Sequence, residues 1–497
     1  MSQSALPVPA APPSEREDAL LRLQRMETKL VVGLFDHPGV VSRKTEHQLR
    51  YAIGLAALDT FQPGAARRGR RNQNPDVRVR TPRLARWRER LPEVLADTLL
   101  HTTDSKRRVE TAAEKLQPLL PLMARTRDEI LEKYANDFSA RHLDQEIGIK
   151  TLVNVAGGGG GSAYVYIGAW EVLQAAGLIP GYLIGASMGA VLGLFRALRR
   201  DGDLDEYVAL AKGLKPEEIF RFVSLRTQYG LPGVMRLVLR GGIGSALSNQ
   251  SGAPLRIPDL EIPYEAVVAG LRRSAVREGL EGYARSHHLH EDKRPGALQM
   301  RAQIAAQLVR MVGFFNPRAA QEIVIGADDL TGDFDAVDAA GFSAAIPGIL
   351  HYDVSEEDSP MHAPLTDLFE REEVVALVDG GVANNVPSRI AWRQVRAGKI
   401  GTRNAFVLAF DCFHPQIGMG HVWLQPITRL IALQVALNQR YAQKRIEFKP
   451  TLSPLNLLPR AREIDRAVAW GRAQMARELP RIQKYFERVR WVPPDEG

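Results

Sequence analysis

Two patterns of apolar and polar positions divide this chain. Between residues 14 and about 145, apolar residues recur every three or four positions with arginine and glutamate between them. This spacing is typical of amphipathic helices and predicts an all-helical N-terminal region. It is clearest over residues 84–99, where Pro92 interrupts the run and favours a division into two helices. A second helical pattern covers residues 105–138.

After residue 145 the pattern changes to short apolar runs that alternate with helical stretches. Such alternation predicts a mostly parallel sheet with helices on both faces. In sheets of this kind, ligands bind at the carboxyl ends of the strands. The predicted strands cover residues 150–156, 182–185, 322–327, 374–378 and 405–410.

The stretch from about 213 to 320 fits neither pattern well. We interpret it as a lid-like insertion, with a helix predicted over residues 264–286. His287, His288 and His290 follow that helix closely. Because adjacent loop residues rarely bind one ion and no acidic or cysteine pattern accompanies them, these histidines indicate a solvated loop. No metal site is expected.

Candidate chemistry begins at Gly185-Ala186-Ser187-Met188-Gly189, where a strand-like run gives way to a helix-like one. This is a G-x-S-x-G pattern at a strand-to-helix turn, a geometry that exposes the hydroxyl of a serine nucleophile. The turn is tight enough to require Gly185 and Gly189 on either side of Ser187. The pattern alone also fits a small-residue joint without chemistry.

A run of five glycines, residues 157–161, follows the strand that ends at Ala156. Its backbone N–H groups are free to face a ligand and to stabilise an oxyanion beside a serine. Two nucleotide-binding alternatives fit less well. A dinucleotide loop needs an acidic residue about twenty positions later, and none lies between Glu171 and Asp201. A P-loop needs a lysine after the glycines, which is missing.

A third motif, Asp379-Gly380-Gly381, follows the apolar strand at residues 374–378. The strand delivers a carboxylate and then breaks at two glycines. Asp379 is therefore a candidate base for Ser187, although Asp-Gly-Gly also occurs as an ordinary turn.

The three motifs in this order resemble the patatin-like phospholipase family, over roughly residues 150–450. Residues 327–332, 343–348 and 385–387 also fit that family's pattern. The resemblance implies an α/β fold of three layers with a mostly parallel central sheet. It also implies a serine acyl hydrolase that cleaves ester bonds of phospholipids or other lipids and uses no cofactor.

The site residues implied by this resemblance form a Ser–Asp dyad without histidine. Ser187 is the nucleophile and Asp379 its base. The N–H groups of Gly158, Gly159 and Gly160 form the oxyanion hole, and an acyl-enzyme is the intermediate.

One position departs from the family pattern, which has a basic residue soon after the glycine triplet. This chain has Ser162 and Ala163 there. The departure puts head-group preference in doubt. We expect Ser162 to cap a helix over residues 164–175 rather than to react.

Two alternatives remain open. An α/β-hydrolase with a Ser–Asp–His triad needs a histidine after Asp379, for which His414 and His421 are the candidates. The second alternative is a catalytically weak lipid-binding or scaffold protein on the same fold. Replacing His414 distinguishes the dyad from the triad.

The predicted organisation is a disordered tail at residues 1–13, the helical region at 14–145, the catalytic domain at 146–450 and a C-terminal helical segment at 451–497. The chain has 497 residues, of which 45% are hydrophobic, so it can bury a large core. We see no secretory signal and no apolar run of eighteen residues. Lone Cys412 suits a reducing compartment, with a buried and inert thiol.

The chain has a net charge of +8, and its densest basic stretch is a set of arginines between residues 67 and 83. This stretch is interpreted as a solvated loop or as a surface that attracts anionic phospholipid, at about 1 kcal/mol per basic residue. Nucleic-acid binding is not expected, because no aromatic platform accompanies the arginines. Together these features predict a cytoplasmic enzyme, peripheral at the inner face of a membrane, whose oligomeric state is left open.

Overall fold

A computed structural model describes residues 14–65, 74–222, 228–273, 318–354, 359–414 and 425–494. Four predictions lie outside these ranges: the tail at residues 1–13, the arginines at 67, 68, 70 and 71, the histidines at 287, 288 and 290, and His421.

Six helices form the N-terminal region, together with one short antiparallel strand pair. Side chains of Ser14, Ser42, Thr81 and Asp104 accept backbone N–H groups of the first helical turns, which explains where four of the helices begin. The helices are α1 (Glu15–Asp36), α2 (Arg43–Ala57), α3 (Pro82–His101), α4 (Ser105–Leu116), α5 (Leu120–Lys133) and α6 (Ala140–Gly148), and the strands are β1 (Thr60–Phe61) and β2 (Val77–Arg78).

The predicted break at Pro92 is wrong, because α3 runs through it without interruption. A proline inside a helix costs roughly 3 kcal/mol. Leu91 and Leu95, on either side of Pro92, are fully buried in the core of the helical region. Burying such side chains contributes about 1.5–3 kcal/mol each, which offsets the cost of the proline.

A seven-stranded sheet forms the centre of the rest of the molecule. Its order is β10-β7-β4-β3-β11-β12, with β8 also paired to β7. Five neighbouring strands run parallel to one another, namely β7, β4, β3, β11 and β12. The other two, β10 and β8, run antiparallel to β7. A smaller sheet has the order β5-β6-β9. The strands are β3 (Thr151–Ala156), β4 (Tyr182–Ala186), β5 (Phe220–Phe222), β6 (Gly233–Leu237), β7 (Tyr264–Arg272), β8 (Ala320–Ile325), β9 (Gly348–His351), β10 (Val374–Asp379), β11 (Ala405–Asp411) and β12 (Lys444–Glu447).

Helices cover both faces of the central sheet and complete three layers, which confirms the predicted fold class. The helices are α7 (Val165–Ala175), α8 (Met188–Leu198), α9 (Leu204–Gly213), α10 (Pro216–Ile219), α11 (Leu239–Ile243), α12 (Ala336–Ser343), α13 (His362–Arg371), α14 (Gly381–Asn384), α15 (Ser388–Ala397), α16 (Gln425–Asn438) and α17 (Ala461–Phe486). Side chains of α7, α8, α12 and α17 pack on one face of the sheet, and those of α15 and α16 pack on the other. None of the helices in the described ranges combines the length and apolar character needed to cross a membrane.

The prediction of a helix from residue 264, inside a lid-like insertion, is wrong for Tyr264–Arg272. These residues form β7, which pairs with β4, β8 and β10 at the centre of the sheet. Every residue of β7 except Arg272 is buried. A strand buried on both faces has no alternating pattern, so a short apolar run of this kind resembles a buried helix.

The helical region contacts the sheet at the amino ends of β3 and β11. The backbone N–H of Arg403 donates to Glu146 Oε1 (2.8 Å), and the Asn404 amide donates to the Glu146 backbone O (2.9 Å). The Arg403 guanidinium pairs with Asp76 at 2.9 Å. The helical region therefore supports the end of the strands that lies opposite their carboxyl ends.

Candidate active site

The turn between β4 and α8 holds Ser187 in a strained conformation. Its φ is 54° and its ψ is −133°, and a non-glycine residue with positive φ costs of order 1–3 kcal/mol. A Cβ at Gly185 would lie 2.5 Å from Ala190 Cα, and one at Gly189 would lie 2.2 Å from Ala156 O. Both neighbouring glycines are therefore required by close backbone contacts.

The hydroxyl of Ser187 donates a hydrogen bond of 2.6 Å to Asp379 Oδ2. Asp379 is the last residue of β10, and its Oδ1 accepts the Gly381 N–H at 2.7 Å. A Cβ at Gly380 would lie 2.0 Å from Val267 O. Ser187 is 7% exposed and Asp379 is 6% exposed. The structure thus brings together two residues that are 192 positions apart in the chain.

Burial raises the pKa of Asp379 to about 6, and the hydrogen bonds from Ser187 and Gly381 offset part of this rise. A carboxylate with this pKa is ionised at pH 7 but takes up a proton more readily than a solvated aspartate. Its environment therefore suits a general base that works near neutral pH.

The glycine loop lies directly against Ser187. A Cβ at Gly158 would lie 2.8 Å from Ser187 Cβ, so this position must be glycine. The Gly158 N–H donates to Asn385 O (3.1 Å), so it is not free to act as the oxyanion donor that was predicted, and the Asn385 amide donates back to Gly158 O (3.2 Å). Within the described ranges, the N–H groups of Gly159 and Gly160 have no acceptor.

A segment near the C-terminus holds the other side of this loop. The Gly161 N–H donates to Pro454 O at 3.1 Å. Gly160 has a φ of 51°, and a Cβ there would lie 2.1 Å from the same oxygen. Motif spacing did not reveal this contact, and it requires glycine at position 160.

The prediction that Ser162 caps a helix is wrong. Its hydroxyl donates to Leu452 O at 2.7 Å, and the side chain is fully buried. A 3₁₀ turn over Gly160–Tyr164 precedes α7, which begins at Val165. Because this turn supplies the first turn of the helix, a side-chain cap is not needed at residue 162.

Ser343 was not among the predicted site residues, yet it joins the two halves of the site. Its hydroxyl accepts the Ser187 N–H (2.9 Å) and donates to Val267 O (2.6 Å). Its carbonyl accepts the Gly380 N–H at 3.0 Å. Ser343 lies in the segment 343–348 that carries part of the family resemblance, which was the available signal.

Cys412 contacts the glycine loop, and His414 follows it two residues later. His414 is half-buried beside Lys449 and Glu447, and burial lowers its pKa. Cys412 is buried with its Sγ 3.7 Å from Gly158 O, and burial raises the pKa of the thiol, in agreement with an inert group. The hydrogen bond from Ser187 Oγ goes to Asp379.

A cavity lies beside Ser187. Its lining is almost entirely apolar and includes Val191 and Phe195 of α8, Trp170 of α7, and Leu457. An apolar lining of this kind suits a ligand with an apolar part.

Comparison with known proteins identifies the family of this region. The family model described as "Patatin-like phospholipase" matches residues 155–392, a range that includes Ser187, Asp379 and the glycine loop. The match supports a lipid hydrolase activity in general. A search of curated proteins finds no match to this chain. Residues 155–392 thus belong to the patatin-like phospholipase family.

Proposed function

We propose that this protein hydrolyses acyl esters of lipids with Ser187 as nucleophile and Asp379 as general base. The observation that carries the proposal is the 2.6 Å hydrogen bond from Ser187 Oγ to Asp379 Oδ2, beside an apolar cavity that Ser187 helps to line. A strained serine is costly for stability, and so is a buried carboxylate with no cation beside it among the described residues; such costs are typical of functional sites.

The first half of the reaction transfers the acyl group to the enzyme. Asp379 accepts the proton of Ser187 as Oγ attacks the ester carbonyl. The negative charge that develops on the carbonyl oxygen is stabilised by the N–H groups of Gly159 and Gly160, with Gly158 allowing the close approach. Ser187 also begins α8, whose helix dipole favours that charge. The C–O bond then breaks, and the leaving alcohol takes the proton from Asp379.

The second half releases the acyl group. Asp379 removes a proton from a water molecule, and the resulting hydroxide attacks the acyl carbon. When the tetrahedral intermediate collapses, Ser187 Oγ leaves and recovers the proton from Asp379. The balance of the whole cycle is one ester and one water giving one alcohol and one carboxylic acid.

The apolar cavity beside Ser187 supports a lipid as the substrate, with the acyl chain in the cavity and the head group outside. The helical region contacts the amino ends of β3 and β11, and we propose that it is a structural platform. The net charge of +8 supports peripheral contact with anionic lipid.

Product analysis after incubation with mixed phospholipid vesicles tests this function. We expect free fatty acid and lysolipid from the wild type and none from Ser187→Ala at equal folded concentration. Release by both proteins would assign the activity to another site. Absence of release, with no serine labelling, would favour the alternative of a lipid-binding or scaffold protein.

Replacing His414 tests the alternative triad. In the dyad mechanism, His414→Ala should change kcat/KM by less than about threefold, because its surroundings are Lys449 and Glu447. A triad histidine would cost about 10⁴-fold or more. Steady-state hydrolysis of one soluble ester by both proteins distinguishes the two mechanisms.

A further inference from the structure

One face of α8 forms a wall of the cavity from one end of the helix to the other. After Ser187, the residues of α8 that line the cavity are, in chain order, Met188, Val191, Leu192, Phe195 and Arg196. Their spacing of three or four places them on a single helical face. Arg196 comes nine residues after Ser187, so the rise of 1.5 Å per residue separates the two backbones by about 14 Å.

Arg196 is an exception in this apolar lining. Its side chain is only 1% exposed, and Nη1 donates to Arg199 O at 3.0 Å. Its Nε and Nη2 have no hydrogen-bond partner among the residues that the structure describes. Leaving charged donors buried and unpaired costs several kcal/mol. Burial lowers the pKa of Arg196 to about 10, so the guanidinium still carries its charge at neutral pH.

The two unpaired nitrogens point to a particular ligand group. The Nε–H and one Nη2–H of arginine lie on the same edge of the guanidinium and are nearly parallel. This arrangement binds both oxygens of a carboxylate at once. A neutral hydroxyl or carbonyl oxygen would satisfy one donor and leave the charge unpaired.

We propose that Arg196 recognises a carboxylate at the far end of the acyl chain, so that preferred substrates are esters of long dicarboxylic acids. This inference rests on the proposed function of Ser187. A zigzag chain of C–C bonds of roughly 1.5 Å advances about 1.3 Å per bond, so about eleven bonds span the roughly 14 Å between the two backbones. The ester carbonyl then lies at Ser187 and the second carboxylate at Arg196. Hydrolysis adds water to the ester alone and leaves the distal carboxylate unchanged.

The test compares three p-nitrophenyl esters on the whole protein: dodecanoate, the monoester of dodecanedioate and the monoester of hexanedioate. We expect kcat/KM for the dodecanedioate ester to exceed that of dodecanoate by at least about tenfold, the scale of a charge-assisted hydrogen-bonded pair. The hexanedioate ester should be the poorest, because its carboxylate would lie among apolar side chains.

Arg196→Met and Arg196→Lys provide the matched variants. Methionine should invert the preference by lowering kcat/KM for the dodecanedioate ester and raising it for dodecanoate, since the buried charge is gone. Lysine keeps the charge but not the paired donors, and should retain only part of the preference. Thermal melting identifies a variant that does not fold. In that case the proposal is tested by the wild type alone, from its ratio of kcat/KM for the dodecanedioate ester to kcat/KM for dodecanoate.

Two results would overturn the inference. One is a wild type that hydrolyses dodecanoate as well as or better than the dodecanedioate ester. The other is a folded Arg196→Met variant with the wild-type ratio. In either case the hydrolase function stands. Hydrolysis of none of the three esters, together with no labelling of Ser187, would instead contradict the proposed function itself.

Discussion

Buried carboxyl groups have different surroundings at the two ends of the central sheet. At the amino end, Glu146 accepts the Arg403 N–H, and the Arg403 guanidinium pairs with Asp76. Burial raises the pKa of Glu146, and the hydrogen bond from Arg403 together with the positive charges of Arg403 and Arg396 offsets part of this rise. At the carboxyl end, Asp379 accepts hydrogen bonds from Ser187 and Gly381, and its pKa rises because burial outweighs both.

The backbone conformation also differs between the two ends. Helices of the N-terminal region, which contacts the amino end, start with side-chain caps such as Ser42 and Thr81. The carboxyl end holds Ser187 at a positive φ and needs glycines against backbone atoms on both sides of it. The strained serine thus marks the end where we propose chemistry.

The sharpest way to test this comparison is to neutralise one buried carboxylate at each end. Asp379→Asn should reduce kcat/KM by about 10⁴-fold, because the amide keeps the shape but cannot take the proton. Glu146→Gln, at the amino end, should leave kcat/KM within about twofold. Equal losses in ester hydrolysis, at matched folded fractions, would show that the two ends do not differ in function.

A methyl group can be added to a crowded glycine at either end. Gly158→Ala would place its Cβ 2.8 Å from Ser187 Cβ, and we expect a loss of about 10²–10³ in kcat, similar to the loss of an oxyanion donor. Gly148→Ala would place its Cβ 2.1 Å from Val489 O and should lower the melting temperature without a specific loss of activity. Full activity of folded Gly158→Ala would contradict the account.

The pKa of Asp379 predicts opposite pH effects on activity and stability. The base form is lost as the pH falls through about 6, so kcat/KM should then decrease about tenfold per unit. The folded-state pKa lies above the ordinary value of 3.8, so the folded protein binds more protons between these pH values. Stability should therefore fall as the pH rises from about 4 to 6, by about 3 kcal/mol.

Chemical unfolding of wild type and Asp379→Asn across this range isolates the contribution of that group. As the pH rises from about 4 to 6, the free energy of unfolding should fall in the wild type relative to the variant. Glu146→Gln serves as the control for activity. A kcat/KM profile that stays flat down to pH 4 would argue against Asp379 as the base.

The smallest expected effect concerns the hydroxyl that joins the two halves of the site. Ser343→Ala removes the acceptor of the Ser187 N–H, and we expect kcat to fall about tenfold with a loss of about 1–2 kcal/mol in stability. Thr402→Val removes a buried hydroxyl that accepts the Asn404 N–H at the amino end. It should cost similar stability with no change in kcat, as measured by melting and steady-state kinetics.

Sequence reasoning worked best where a motif follows a strand. The elbow at Ser187 and the Asp-Gly-Gly turn at Asp379 could be placed at strand ends because apolar runs precede both. The antiparallel direction of β10, which brings Asp379 beside the end of β4, could not be predicted from these runs. The family resemblance connected the two motifs across 192 positions, which spacing alone could not do.

Prediction failed where tertiary contacts decide the structure. β7 is buried on both faces, so its sequence carries no period that distinguishes a strand from a helix. The Ser162 hydroxyl bonds to Leu452 O, and the glycine loop contacts Pro454 O, both about 290 residues away along the chain. Burial of Leu91 and Leu95 keeps α3 continuous at Pro92. None of these contacts has a local signal.

The central claim is that the carboxylate of residue 379 makes the hydroxyl of residue 187 reactive, and fluorophosphonate labelling followed by mass spectrometry measures this directly. We predict a single labelled site at Ser187 in the wild type, none in Ser187→Ala, and labelling at least about 10³-fold slower in Asp379→Asn. Labelling of Asp379→Asn at the wild-type rate, or a folded wild type that never reacts, would contradict the account.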